Sequence, residues 1–111
     1  MTITLNGTVV SHQGGRAGDY QESVMVNGHP SWINRDHAIW YADGMDDWVV
    51  GSIGSRGKDI SGIQAVGQGT TCPNSIASTN WEYTVGNLWI PFSSSVITVT
   101  CSQAKGKNNQ F

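Results

Sequence analysis

The sequence predicts an all-β domain: an antiparallel β-sandwich or small barrel of about eight short strands, built from hairpins as a meander. Three observations carry this. No segment shows an apolar i, i+3, i+4, i+7 stripe long enough for a helix. β-Branched and aromatic runs recur every ~8–12 residues between turn signals. The tryptophans lie eight residues apart, Trp32, Trp40 and Trp48, then Trp81 and Trp89. That spacing suits a strand plus a tight turn, so they should fall on successive strands with their aromatic neighbours side by side.

Taken in order, Thr2 to Val10 alternates with Ile3, Leu5 and Val9 on one parity, and Asn6-Gly7 marks a bend or bulge. Ser11 to Gly18 is a loop, because its glycines suit no regular element. Asp19 to Val26 is a strand entering Asn27-Gly28, a two-residue turn of type I′. Pro30 withholds a backbone donor, so Ser31 to Asn34 begins at a sheet edge or end. His37 to Ala42 is apolar on both parities and is the candidate central strand. Trp48 to Ile53 follows the acidic turn, and Gly51 and Gly54 signal curvature or close packing. After an open loop from Gly54, Ile60 to Val66 is a short strand, and Gln68 to Asn80 is loop again. Trp81 to Val85 and Leu88 to Pro91 form a hairpin around Gly86-Asn87, and Ser95 to Cys101 is the last strand. Residues 1–101 make a single β-domain; residues 102–111 are a polar flexible tail.

Composition narrows the function. At 111 residues the chain supports one core. Charged residues make up 13%, against ~25% in an average soluble domain, so hydroxyls and amides carry the polar surface, as in many extracellular β-domains. A net charge of −2 without a basic stripe leaves no source for phosphate-driven affinity, so no nucleic acid partner is expected. No apolar run approaches the ~20 residues of a spanning helix, so no membrane insertion is expected. Cys72 and Cys101 close a 30-residue segment; a disulfide there would stabilise by roughly 3–4 kcal/mol, and two unrelated buried thiols are the alternative. Asn6-Gly7-Thr8 fits the N-glycosylation pattern, a short and cheap match. The opening MTITLNGTVV has neither a basic n-region nor a long apolar stretch. Either the protein is not secreted, or Met1 begins a mature segment cut from a longer secreted chain; the second is the expectation.

The ordered motifs VNGHPSW, AIWY, DDWVVGSI, Cys72-Pro73, WEY, LWIP and ITVTC resemble a small Trp-rich extracellular module of mosaic secreted proteins in marine invertebrates and protists. There it sits beside adhesive or epidermal-growth-factor-like domains. The likeness spans Asp19 to Cys101. It implies an extracellular adhesive setting and two paired cysteines, Cys72 and Cys101; it implies no reaction.

A tryptophan taken singly is more often core than binding surface. Five in so small a chain still invite one or two exposed indoles, on whose face the CH groups of a sugar ring stack while short polar side chains meet its hydroxyls. In a meander successive turns alternate ends. Asn27–His29 and Asp43–Asp47 should share one end, gathering Asn27, His29, Asp43, Asp46, Asp47 and Trp48 as the candidate ligand-binding set. Asn34–Asp36 and Gly54–Asp59 should share the other, where Arg35, Asp36, Arg56, Lys58 and Asp59 read as a solvated rim of mixed charge. Asp43, Asp46 and Asp47 offer oxygen donors for Ca²⁺, but their spacing is not that of an EF-hand loop. A polar turn is the favoured reading, so no cofactor is expected and Ca²⁺ is the alternative.

Catalysis finds no support. His12, His29 and His37 follow no zinc spacing, the two glutamates Glu22 and Glu82 fall on separate strands, and no serine sits in a Gly-x-Ser-x-Gly elbow. The sequence therefore reads as a non-catalytic, lectin-like module whose partner is a glycan or glycoprotein, working in an oligomer or a multi-domain parent. The alternative is a structural or protein-interaction module of adhesive secreted proteins without a small-molecule site.

Overall fold

The computed structural model describes residues 1–5, 13–69, 72–77, 80–92 and, for the backbone alone, 97–100. Among these residues ten strands form two antiparallel sheets, and the all-β expectation holds. In the small sheet, β1 (Thr2–Leu5) lies between β2 (Gly18–Asp19) and β10 (Ile97–Thr100). The large sheet is a seven-stranded meander in chain order: β3 (Gln21–Glu22), β4 (Trp32–Asn34), β5 (His37–Ala42), β6 (Asp47–Ser52), β7 (Ile63–Ala65), β8 (Trp81–Val85) and β9 (Leu88–Pro91). No helix among the described residues is long and apolar enough to cross a membrane. The Asn6-Gly7 bend, His12, Cys101 and the tail at 102–111 lie outside the described residues.

The alternating strands fold as their parity dictates. Ile3 and Leu5 of β1 are buried while Thr4 is exposed. With Met1 and Tyr20 they cover one face of the large sheet, meeting Ile39, Tyr41, Trp48, Val50, Ile63, Ala65, Trp81 and Tyr83. This is the main core of a sandwich. β5 is buried on both parities, as a central strand should be.

The expected strand Asp19–Val26 is not continuous. Tyr20 stands between β2 and β3, and the chain changes sheet there. Its backbone N–H donates to the Met1 carbonyl at 2.6 Å, and the Met1 ammonium donates back to the Tyr20 carbonyl at 2.9 Å. Further along, Ser23 still bonds the Ser31 carbonyl at 2.7 Å, but Val26 pairs with His29. Val24 and Met25 therefore face the single residue Pro30, a bulge. Proline has no N–H for the ladder, and the Ser31 hydroxyl donates to the Val24 carbonyl at 2.6 Å instead.

The five tryptophans do fall on successive strands of each run, β4, β5 and β6, then β8 and β9. They do not share a face. Trp32 pairs with Ile39, and Trp48 pairs with Tyr41, on the main-core side. Trp40 pairs with Val49 on the opposite side, in a second cluster with Ala38 and Ala42.

Among the described residues no sheet covers that second side. The chain between β6 and β7 does so, which corrects the expected rim. Ile53 N–H donates to the Asp36 carbonyl at 2.7 Å, and from there the loop crosses the face. Arg56 Nη1 reaches Ser23 Oγ at 3.1 Å, and the Trp40 indole N–H donates to the Lys58 carbonyl at 2.9 Å. Asp59 ends against Gly44. Arg56, Lys58 and Asp59 thus leave the end that holds Arg35 and Asp36. Gly51 makes room for the crossing: a Cβ there would lie 2.9 Å from Trp40 Cη2 and 3.1 Å from Ser61 Cα.

Candidate functional site

Asn27 and Gly28 adopt φ of 53° and 80°, the left-handed pair that a type I′ turn needs. Two bonds between Val26 and His29, 2.8 and 3.0 Å, close the turn. The Asn27 amide then donates to the Tyr41 carbonyl at 2.7 Å and to the Gly57 carbonyl at 3.4 Å. This lays the hairpin tip over the end of β5.

The result is an aromatic group with a polar border. The His29 ring lies 4.7 Å from Tyr41 and 6.1 Å from Trp48, centroid to centroid. Trp48 meets Tyr41 edge-on at 5.6 Å and Trp32 at 5.9 Å. From the turn between β5 and β6, Asp46 at φ 58° accepts the Tyr41 hydroxyl. Holding that proton against a carboxylate, with burial adding, pushes the Tyr41 phenol up to about 12. Asp43, on the same turn, is exposed.

Two members of the expected set point inward. Asp47 is buried, and its Oδ1 accepts the Gly67 N–H at 3.1 Å. Burial raises its carboxyl above the usual range; the Gly67 N–H opposes this, while Asp46 and Glu82 add to it. Trp48 is 3% exposed, so it is a floor and not the open platform the sequence suggested. The cause is its strand: β6 lies inside the sheet, with a neighbour on each edge and cover on both faces. The Trp48 indole N–H is buried and has no hydrogen-bond partner among the described residues. Asn27, His29, Asp46 and Trp48 are thus gathered around Tyr41, Asp43 stands at the border, and Asp47 braces the 67–69 turn. Among the described residues no three His, Cys, Asp or Glu side chains are arranged to hold a metal ion.

The exposed indole belongs to Trp89, 37% exposed on edge strand β9 beside Leu88. Glu22 on β3 and Glu82 on β8 have four strands between them. The other end of the sheet holds a feature the sequence did not single out. A polar cleft of about 460 Å³ is lined by Gly15, Ala17, Asn34, Arg35, Asp36 and His37. Behind it, Arg16 Nη1 donates to His37 Nδ1 at 3.1 Å. Burial first, then the Arg16 charge, lowers the His37 pKa, with Asp36 acting the other way. The contact joins residues far apart in sequence. Its only local signal is an arginine among glycines in a chain poor in charge. Compared with known proteins, the chain matches no family model, no curated protein and no solved structure.

Proposed function

We propose that the protein is a non-catalytic carbohydrate-binding module of an extracellular, adhesive chain, with its site where the Asn27–His29 and Asp43–Asp46 turns meet. The observation that carries this is their convergence on one aromatic floor, with His29 half-buried over Tyr41 and Trp48. Exposed Asn27, Asp43 and Asp46 would accept bonds from sugar hydroxyls, and the His29 ring would offer its face to the CH groups of a pyranose. Trp48 and Asp47 would support the site from beneath.

Single sugar sites of this kind are weak, and an oligomer or a multi-domain parent would supply avidity. The extracellular setting rests on the Trp-rich module resemblance, low charge and the proposed Cys72–Cys101 bridge. The turn Pro73–Ser75, which follows Cys72, packs beside β10, which precedes position 101. Intact mass with and without reductant should differ by the two hydrogens of one disulfide; equal masses would remove the bridge.

A glycan array on the multivalently displayed domain tests the site. Binding should appear for at least one glycan and be lost in Asp46→Asn and Asp43→Asn variants that keep the wild-type fold. An array with no binding overturns the reading. A second reading, a protein-interaction module, is favoured by Leu88 and Trp89 on the edge strand, since three other tryptophans are sealed inside. A Trp89→Ser variant should keep glycan binding under the first reading and lose partner capture under the second.

A further inference from the structure

The Asn27-Gly28 step carries a chemistry of its own. An asparagine followed by glycine closes on itself readily, because no Cβ hinders approach to the glycine nitrogen. The Gly28 nitrogen adds to the Asn27 side-chain carbon Cγ, and the proton it sheds passes through water to Nδ2. As the new N–Cγ bond forms, the Cγ–Nδ2 bond breaks and ammonia leaves. Water then opens the resulting succinimide at either carbonyl, leaving aspartate or isoaspartate at position 27. In sum, amide and water give acid and ammonia, and no other reactant is consumed.

The turn supplies what this reaction needs and also what restrains it. Asn27 and Gly28 are both exposed, so water reaches them. Nothing lies within 4 Å of where a Gly28 Cβ would stand. The two bonds that close the turn join Val26 and His29, and among the described residues the Gly28 N–H makes none. The restraint lies in the side chain. Asn27 Nδ2 donates to the Tyr41 carbonyl at 2.7 Å and to the Gly57 carbonyl at 3.4 Å. Ring closure turns Cγ back over its own backbone and takes Nδ2 from both acceptors. Gly57 belongs to the loop across the Trp40 face, which the Arg56–Ser23 and Trp40–Lys58 bonds hold down. The restraint on Asn27 therefore depends on that loop being seated.

We propose that Asn27 is a deamidation site guarded by the seated 53–61 loop, and that its conversion releases the loop irreversibly. A carboxylate has no hydrogen to offer the Tyr41 and Gly57 carbonyls, so two attractions become repulsions. Isoaspartate also adds a backbone carbon to a turn whose two central residues fix its geometry. The proposal concerns the turn and the loop alone and does not depend on a sugar binding there.

The test follows Asn27 conversion in the full chain at mildly alkaline pH, folded and in urea, by peptide mapping with mass detection and an isoaspartate assay. The folded chain should convert about tenfold or more slowly than the unfolded one. In urea Asn6-Gly7, the same dipeptide, should convert at the Asn27 rate and so gives the unguarded value. Arg56→Ala removes one tie of the loop and no atom of the turn. It should speed conversion at Asn27 several-fold in the folded chain, through local opening, and leave the rate in urea unchanged. Ser23→Ala removes the same tie from its other side and keeps the test open if Arg56→Ala does not fold. Brief trypsin treatment reads the release, because cleavage tracks the population of the open loop. Asn27→Asp, and the parent chain once converted, should be cut after Arg56 or Lys58 several-fold faster than fresh parent. Equal rates in folded and unfolded chains, a folded-state rate unmoved by both tie variants, or a loop cut no faster in Asn27→Asp overturns the proposal.

Discussion

The two ends of the seven-stranded sheet are made by the same device and finish with opposite chemistry. At each end a non-glycine residue is held at positive φ, Asn27 and Asp46 at one and Arg35 at the other. At the first end the turns deliver acceptors: Asp43 and Asp46 stand outside, and Asp47 is drawn in against Gly67. At the second they deliver donors, with Arg35 on the rim and the Arg16–His37 pair behind it. A meander alternates its turns strictly, so it separates two sets of side chains without a second domain. The fold thereby sets two ends of different charge on one small core.

The loop crossing under Trp40 ties the ends together, and breaking it is the largest expected effect. Trp40→Ala should cost about 3–5 kcal/mol in denaturant unfolding and free the loop that brings the Gly57 carbonyl to Asn27. Gly51→Ala should cost about 1–3 kcal/mol by overpacking, since the added methyl meets both the indole and the Ser61 backbone. Asn27→Gly keeps the turn geometry and removes only the side-chain bonds, for a loss of about 1 kcal/mol. A loss far above that would mean that Asn27 organises the whole first end.

The smallest effects are the most telling, because the two ends should respond to pH with opposite signs. His37 titrates below its usual 6.5 in the folded chain, so the unfolded chain binds the proton more readily. Stability is full above pH 6.5 and falls as pH drops from there toward the lowered value. Asp47 titrates above its usual 3.8, so the folded chain binds that proton more readily. Its contribution is fullest below pH 3.8 and is lost as pH rises through the raised value. His37→Asn should flatten the first slope and Asp47→Asn the second, as read from urea midpoints across pH. Equal slopes in the variants and the parent would remove the contrast between the ends.

The sequence made the strands legible where local pattern decides them. His37–Ala42, Trp81–Val85 and Leu88–Pro91 have the expected bounds, and Asn27-Gly28 is the expected turn. Alternation could not reveal that Tyr20 changes sheets, because its parity is continuous on both sides of the corner. It also could not show that Trp48 is sealed, since burial on both faces depends on what the 53–61 loop and the small sheet cover. The Asn27–His29 and Asp43–Asp47 turns could be placed at one end because turn order alone brings them together. The Arg16–His37 contact could not, because Gln13 meets Thr84 and Arg16 meets His37 only once both sheets exist.

The small sheet carries one consequence for how the molecule assembles. The large sheet grows by adding each strand to the one just made, so its contacts are short in sequence. In the small sheet Thr2 pairs with Thr100, and almost the whole chain must be gathered before that pairing forms. Loop closure of this length is entropically costly in the early chain, and such contacts set slow folding. The meander should therefore form first and the small sheet should close over it last. In a kinetic experiment, Ile3→Val should speed unfolding and leave the folding rate nearly unchanged.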